Sequence, residues 1–317
     1  MTGRADLPAA APDPDPAPVP AGVGFIGLGQ MGYPMAKHLR EWPGGLTVYD
    51  VRAEVTERFA KKGARVAASP GDVAATAGVI SVMVRDDAQV EDVVCGAGGL
   101  LAAAAPGTVI AIHSTISDET APRLAKLARA RGVHVADAPV SGGFMGAHQG
   151  SLAVMVGASD EAYARCETAF GLWAGLVMHA GPPGAGTRAK LARNLLHFIS
   201  FAAAGEALRL AEAAGIDLKE LGNVVRHTDA ITGGAGSIML RDTAAPLPAD
   251  DGLYGFFAHA RDLGEKDLAL AAELGAKLGV DLPLGRLAGR HLAAALGVPE
   301  AAEPAREPST DDAEENL

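Results

Sequence analysis

The chain has 317 residues, enough for two domains, and pairs 49% hydrophobic with only 4% aromatic residues, which points to a core of Ala, Val, Leu and Ile. Its net charge of -11 sits mainly at the ends: residues 300–317 hold seven acids against one arginine and residues 1–20 hold three against one, leaving about -3 for the body. A body so near neutrality has no basic stripe of the kind that nucleic-acid binding needs.

Two cysteines, Cys95 and Cys166, lie far apart without metal-ligating neighbours, and no basic start followed by an apolar stretch opens the chain. Reduced thiols and a cytoplasmic location are expected. The longest apolar runs, near 100–112 and 195–204, are short of a membrane span. Residues 1–20 and 299–317 are Pro-rich, acidic and of low complexity. Too little apolar surface is available there to offset ordering, so both are expected to be disordered tails. That leaves 21–183 and 184–298 as the two candidate domains.

The first predicted element is a buried strand over 23–28, followed by Gly27, Gly29 and Gly32 in a G-x-G-x-x-G pattern and a helix from near Met31. This is the strand-to-helix turn that cradles a pyrophosphate: one glycine makes the turn, one lets backbone approach phosphate, and one lets helix pack on strand. Leu28, Gln30 and Met31 complete the turn and belong to the same cradle. A second short β run, 46–49, ends in Asp50 at the spacing where an acid takes the ribose hydroxyls of NAD. Arg52, two residues on, is placed to serve a 2′-phosphate, so NAD is expected with NADP as the second option.

Further β runs at 79–84, 109–112, 133–138, 152–156 and 176–178 alternate with helical stretches. Such alternation predicts an α/β domain with a mostly parallel sheet and helices on both faces. Ser69-Pro70 and Ser117 mark two helix starts. After Gly181-Pro182-Pro183-Gly184 no β-rich run follows, and 187–296 reads as an all-helical domain with loops at 232–236 and 244–255. It opens on a helix over 187–214, about 40 Å long at 1.5 Å per residue.

Three clusters bear on chemistry. Asp137-Ala138-Pro139-Val140-Ser141-Gly142-Gly143 ends a strand in a turn whose N–H groups and hydroxyl suit a carboxylate, or is a glycine-rich loop. In Gly184 to Asn194, Lys190 and Asn194 are i and i+4 on one helical face. They form either an exposed polar face or, with the lysine partly buried beside a positive neighbour, a proton acceptor and its orienting amide. Lys266-Asp267-Leu268 by itself reads as a solvated helix face.

Taken together these clusters resemble the β-hydroxyacid dehydrogenase family, which includes the 3-hydroxyisobutyrate dehydrogenases, over residues 22 to 297. Gly24 to Ala36 matches its Gly-Phe-Ile-Gly-Leu-Gly-x-Met-Gly-x-Pro-Met-Ala pattern, and Ser114-Thr115 matches its Ser-Thr pair. Asp137 to Gly143, Gly184 to Asn194 and Lys266 to Leu268 match three further motifs in order. The resemblance implies a Rossmann-type doubly wound sheet followed by an all-helical C-terminal domain; the richness of that helical domain in Ala and Leu leads to the expectation of a homo-oligomer, a homodimer, through a buried face. The resemblance also implies hydride transfer between nicotinamide and a small 3-hydroxy acid or the matching semialdehyde or keto acid, with Lys190 and Asn194 catalytic. Ser141, Gly142 and Gly143 would hold the substrate carboxylate. Val84 and Thr115 would border the cofactor, and Lys266 would close on it from the helical domain.

Four positions depart from the family pattern: His38 in place of Asn, Arg193 in place of the first of two Asn, Ile112-His113 where an Asp lies nearby, and Val84-Arg85-Asp86 in place of Leu-Pro. They bear on substrate more than on fold. His113, His134, His148, His179 and His197 lie near apolar stretches with no zinc-ligand spacing, and no metal is assigned. Imine reduction on the same scaffold and a non-catalytic nucleotide-binding module are the rival functions. Lys190 speaks against the first, and Lys190, Asn194 and Ser141 together speak against the second.

Overall fold

The computed structural model describes residues 18–300, so the two expected tails lie almost wholly outside the described residues. Contacts divide the chain at Arg193/Asn194 into an N-terminal α/β unit and a C-terminal helical unit.

In the first unit the elements are β1 (Gly22–Ile26), α1 (Gly32–Lys37), β2 (Leu46–Tyr49), α2 (Ala53–Ala60), β3 (Arg65–Val66), α3 (Pro70–Ala74), β4 (Ala77–Val82), α4 (Asp87–Cys95) and α5 (Leu100–Ala103). They continue as β5 (Val109–Ile112), α6 (Thr120–Arg129), β6 (His134–Asp137), β7 (Val140–Ser141), α7 (Gly143–Gln149), β8 (Leu152–Gly157), α8 (Asp160–Phe170) and β9 (Ala174–Gly181). The sheet order is β3-β2-β1-β4-β5-β6-β8-β7, with β9 also paired to β8. β1 to β6 pair in parallel, while β8 runs antiparallel to β6 and β7. The order reverses at β1, which sits between β2 and β4, and a doubly wound sheet opens its ligand crevice at such a point, beyond the strands' C-terminal ends.

Alternation along the central strands builds two cores, one on each face. Val23, Phe25, Val109 and Ala111 pack under α1 and α8, while Ile26, Ile80, Ile110 and Ile112 pack under α3, α4 and α6. This period of two, with both faces covered, is what a buried parallel sheet requires. Ser69 caps α3 as expected, its hydroxyl accepting the Asp72 N–H with Pro70 in the first turn. Ser117 does not cap α6: the helix begins at Thr120 after Glu119, and the Ser117 hydroxyl accepts the Glu119 N–H in the turn before it. Asp87 takes over that end, accepting from the Ser117 N–H and the Thr120 hydroxyl.

The helix α9 (Ala185–Ala213) starts in the first unit and continues into the second, beginning two residues earlier than the glycine-rich sequence suggests. The second unit adds α10 (Leu218–Thr232), a 3-10 turn at Gly234–Ile238, α11 (Tyr254–Leu278) and α12 (Pro283–Leu296). Asp217 caps α10 through the N–H groups of Lys219 and Glu220, and Gly233, at φ +87°, ends it in the left-handed region. Glu206, in α9, is buried and caps α12, accepting from the N–H groups of Leu284 and Gly285 at 2.8 and 3.0 Å. Only a small core forms here, around Phe257, Leu296 and Val298, and α10 buries none of its residues.

A lone histidine near an apolar stretch is expected to be a satisfied core or surface residue, and His113 is of the core kind. It ends the β5 segment at 1% exposure, with ring contacts to Phe170 and Trp173 at 5.2 Å. Its Nδ1 lies 2.7 Å from the Ala138 carbonyl, which only accepts, so Nδ1 carries the proton. Nε2, 2.9 Å from Ser81 Oγ, then accepts from that hydroxyl. The neutral ring thereby ties the ends of β4, β5 and β6 together.

Burial pushes the His113 pKa down to about 4, against the pull of the Ala138 carbonyl. The unfolded chain, titrating near 6.5, takes up the proton first. The stability His113 confers is therefore complete above about pH 6.5 and is lost as pH falls towards 4. Urea denaturation should show wild type weakening over that window, while His113→Leu is weaker at pH 7.5 and flatter below it. Equal pH slopes for the two proteins would contradict this account.

Candidate cofactor and active site

The turn after β1 behaves as its glycines require. Gly27, at φ +88°, donates to the Tyr49 carbonyl, and a β-carbon on it would stand 2.2 Å from the Met83 carbonyl oxygen. A β-carbon on Gly32 would stand 1.9 Å from the Gly27 carbonyl oxygen, so α1 can seat on the turn only without a side chain there. Gly29 faces open space, with nothing within 4 Å of its would-be β-carbon. That open space belongs to a cavity of about 760 Å³, lined by Gly27, Gly29, Gln30, Met31, Gly32, Asp50 and Val84. Seven of the ten residues expected at the cofactor thus line one cavity. Leu28 is buried behind it, and its N–H donates to Asp50 at 2.6 Å.

Asp50 stands at the C-terminal end of β2 with its side chain 6% exposed. Arg52 folds onto it, with Nε 3.0 Å from Oδ1 and Nη2 3.1 Å from Oδ2. Burial pushes the Asp50 pKa up, but the Arg52 guanidinium and the N–H groups of Leu28 and Arg52 together hold it below the ordinary carboxylate range. An anion therefore stands at the wall of the cavity. The cavity, with a glycine open to it and this carboxylate at its wall, fits a dinucleotide.

Arg85, in the Val84-Arg85-Asp86 stretch expected to border the nicotinamide and phosphates, lines the cavity, and so do Tyr49, Met83 and Gln89, which sequence reading did not place there. Tyr49 ends β2, Met83 and Arg85 follow β4, and Gln89 lies in the first turn of α4, all segments that the strand order makes neighbours of the turn. Ser114 fixes the β4 side, its hydroxyl donating to the Val84 carbonyl at 2.6 Å and accepting the Val84 N–H at 3.1 Å. Thr115 is exposed and does not line this cavity.

The second cluster lies at the far end of the same sheet. Asp137 ends β6 fully buried, and its carboxylate accepts from the N–H groups of Gly184 and Thr187, at 2.6 and 2.5 Å, at the start of α9. Four residues further along the chain Ser141 is half-buried in β7, opposite Ala153 of β8. Gly142 and Gly143 follow, exposed, at φ +125° and +63°. Lys190, one turn into α9 from Thr187, is 8% exposed, and burial first and the Arg193 charge second lower its amine below the ordinary lysine range. The reading of Lys190 as an exposed polar face is thereby ruled out. Asn194 is half-buried one turn further on α9, and Lys266 in α11 is exposed and pairs with Asp267 at 3.1 Å. Among the described residues no group of three or more His, Cys, Asp or Glu side chains is placed to hold a metal ion.

Residues 22–181 match the family described as the NAD binding domain of 6-phosphogluconate dehydrogenase, and residues 184–303 match the NAD-binding family of NADP-dependent 3-hydroxyisobutyrate dehydrogenase. The chain belongs to the β-hydroxyacid dehydrogenase family. An uncharacterized oxidoreductase of Mycobacterium tuberculosis is 57% identical over 286 residues, covering 90% of this chain and 97% of that one. The NAD-dependent L-serine dehydrogenase of Pseudomonas aeruginosa is 35% identical over 271 residues, covering 84% and 89%. A crystal structure from Mycobacterium avium 104, provisionally described as an oxidoreductase, superposes with a TM-score of 0.83 at 59% identity, covering 88% of this chain and 99% of that one. The protein is accordingly an NAD(P)-dependent dehydrogenase of this family.

Two glycine substitutions separate the turn's packing from its ligand contact. Gly32→Ala should lower both Tm and dinucleotide affinity, because α1 must move off the turn. Gly29→Ala should leave Tm unchanged yet raise the NADH Kd at least about tenfold, a loss of roughly 1.4 kcal/mol. Fluorescence titration and thermal melts check both, and a Gly29→Ala protein that binds like wild type would mean that the dinucleotide does not approach this backbone.

Proposed function

We propose that the chain oxidises a small 3-hydroxy acid to the matching semialdehyde or keto acid, and runs the reverse reduction, with NAD preferred over NADP. The observation that carries this reading is Lys190: a nearly buried amine, lowered by burial and by Arg193, on the helix whose first turn is bonded to Asp137, just ahead of Ser141-Gly142-Gly143. The bound nicotinamide supplies the hydride acceptor or donor. Lys190, in its neutral form, takes the substrate hydroxyl proton at Nζ in oxidation and returns it to the carbonyl oxygen in reduction. The Ser141 hydroxyl and the N–H groups of Gly142 and Gly143 hold the carboxylate. Asn194 orients the reacting group, and Lys266 is assigned to the cofactor together with Thr115. The matched family name and the L-serine dehydrogenase relative support a 3-hydroxy substrate, since serine itself carries its hydroxyl on the third carbon. Retention of a lysine at 190 favours the hydroxy acid over imine reduction.

Lys190→Ala should lose turnover by about 10² to 10⁴, the usual contribution of a positioned acid or base, with NADH affinity unchanged. The measurement is cofactor absorbance against a panel of short hydroxy acids, semialdehydes and cyclic imines. A mutant keeping a tenth of wild-type turnover, or a wild type active only on imines, would overturn the assignment.

NAD is preferred in this reading because the Asp50 anion repels an added 2′-phosphate at close range, while Arg52 already spends its guanidinium on Asp50. Asp50→Asn should shift kcat/KM towards NADP, and a wild-type preference for NADP would show that Arg52 governs the pocket.

We also assign a cytoplasmic homodimer. Among the described residues no helix is long and apolar enough to cross a membrane, and both cysteines are free. The helical unit leaves Leu195, Phe198, Ile199, Val224 and Ile231 between 52% and 73% exposed, more apolar surface than a monomer ordinarily shows water. Light scattering should give twice the mass of one chain at micromolar concentration; a monomer would refute this assembly.

A further inference from the structure

We propose that Asp137 is a positioning residue for Lys190: its buried carboxylate fastens the first turn of α9 to the end of β6, and so sets where the amine stands relative to Ser141-Gly142-Gly143. This rests on the catalytic reading of Lys190 and adds to it a residue that touches neither substrate nor cofactor.

The first four N–H groups of any α-helix lack intrahelical acceptors, and a neighbouring Ser, Thr, Asp or Asn ordinarily satisfies one. At α9 the acceptor instead comes from 47 and 50 residues back in the chain, one carboxylate oxygen for each of Gly184 and Thr187. A fully buried carboxylate is tolerated there because both oxygens are bonded and the positive end of a 29-residue helix faces them. The backbone around it has no slack. A β-carbon on Gly157, opposite Asp137 in the sheet, would lie 2.3 Å from Asp137 Oδ1, and one on Gly186 would lie 2.6 Å from the Asp137 carbonyl oxygen.

Lys190 follows Thr187 by three residues, about 4.5 Å along a rigid helix axis. Asp137 precedes Ser141 by four residues of strand and tight turn. One carboxylate therefore joins the two segments that carry the proton acceptor and the carboxylate cradle. The ion pair of Arg188 with Asp118 at 2.9 Å, by contrast, has both side chains 40% or more exposed and fixes little. The charge that acts on the amine is that of Arg193, on its own helix.

A cap that served folding alone would change Tm and leave the chemistry of Lys190 untouched. The test uses the full chain with Asp137→Asn, Thr187→Pro and their combination, beside Lys190→Ala. Asn keeps the volume but turns an N–H towards an N–H. Proline in the first helical turn deletes the Thr187 donor where no helical hydrogen bond needs it. Three quantities are read: kcat and KM, the NADH Kd, and the titration of Lys190 itself, from the pH dependence of its acylation measured on the Lys190 peptide by mass spectrometry.

Asp137→Asn should lower kcat at least about tenfold and KM by less than about threefold either way, because a misplaced base loses transition-state contact more than binding. Its Lys190 titration should rise by at least about half a pH unit as water reaches the amine, and the NADH Kd should stay within about threefold. Thr187→Pro should move the same quantities less, and the double variant should be no worse than Asp137→Asn, since both act through one bond. An unchanged Lys190 titration in both single variants, or additive losses in the double, overturns the proposal. If Asp137→Asn does not fold, Thr187→Pro decides by the same titration. If Lys190→Ala is fully active while the titration still shifts, the positioning stands and the catalytic assignment falls.

Discussion

β1 lies between β2 and β4 with the strand order reversing around it, and the chain leaving β1 must turn sharply within contact of the residue leaving β4. Gly27 meets Met83 so closely that a methyl group would stand 2.2 Å from its carbonyl oxygen. Everything on the cofactor side follows from that approach. Gly29 stays open to a ligand, α1 seats on Gly32, and the ends of β2 and β4 deliver Asp50 and Val84 to the same cavity. Had any of these strands been ordered differently, the same motif would lie on an ordinary loop.

The remaining precision comes from a few buried polar groups, each satisfied by groups far away in sequence. His113 bridges Ser81 and Ala138, Asp137 holds the start of α9, and Glu206 holds the start of α12. A buried donor or acceptor left without its partner costs roughly 1–3 kcal/mol, so each of these junctions is strongly determined. Two of the three meet at the β6 end, next to the turn proposed to hold substrate. Stability and the geometry of the proposed site are carried there by the same hydrogen bonds, and His113 sits among Phe25, Phe170 and Trp173.

The two units differ in how completely they bury their apolar residues. The α/β unit closes two cores over both faces of its sheet. Among the described residues the helical unit gathers three buried apolar residues in its own cluster and exposes large side chains along α9, α10 and α11. Helices gain most of their stability from packing an apolar face rather than from intrinsic propensity, and exposed faces of this kind are what the proposed homodimer would cover.

The cofactor half of the site was legible in the chain itself because its determinants are local: Gly27, Gly29, Gly32 and Asp50 fall within 24 consecutive residues, and strand periodicity places them. Strand existence and the change to helices after Gly184 were equally legible, since period-two and helical patterns are short-range signals. The sequence also named Lys190, Ser141, Gly142 and Gly143 through motif resemblance, but left open whether Lys190 was a solvated helix residue. Only the tertiary structure decided that it is nearly buried with a lowered pKa, that Asp137 caps α9, that Asp87 rather than Ser117 serves the start of α6, and that Arg52 lies on Asp50. The reason is common to them all. Burial and hydrogen-bond partnership depend on which strands become neighbours, and residues such as Asp137 and Thr187, 50 positions apart, carry no mark of each other in the sequence.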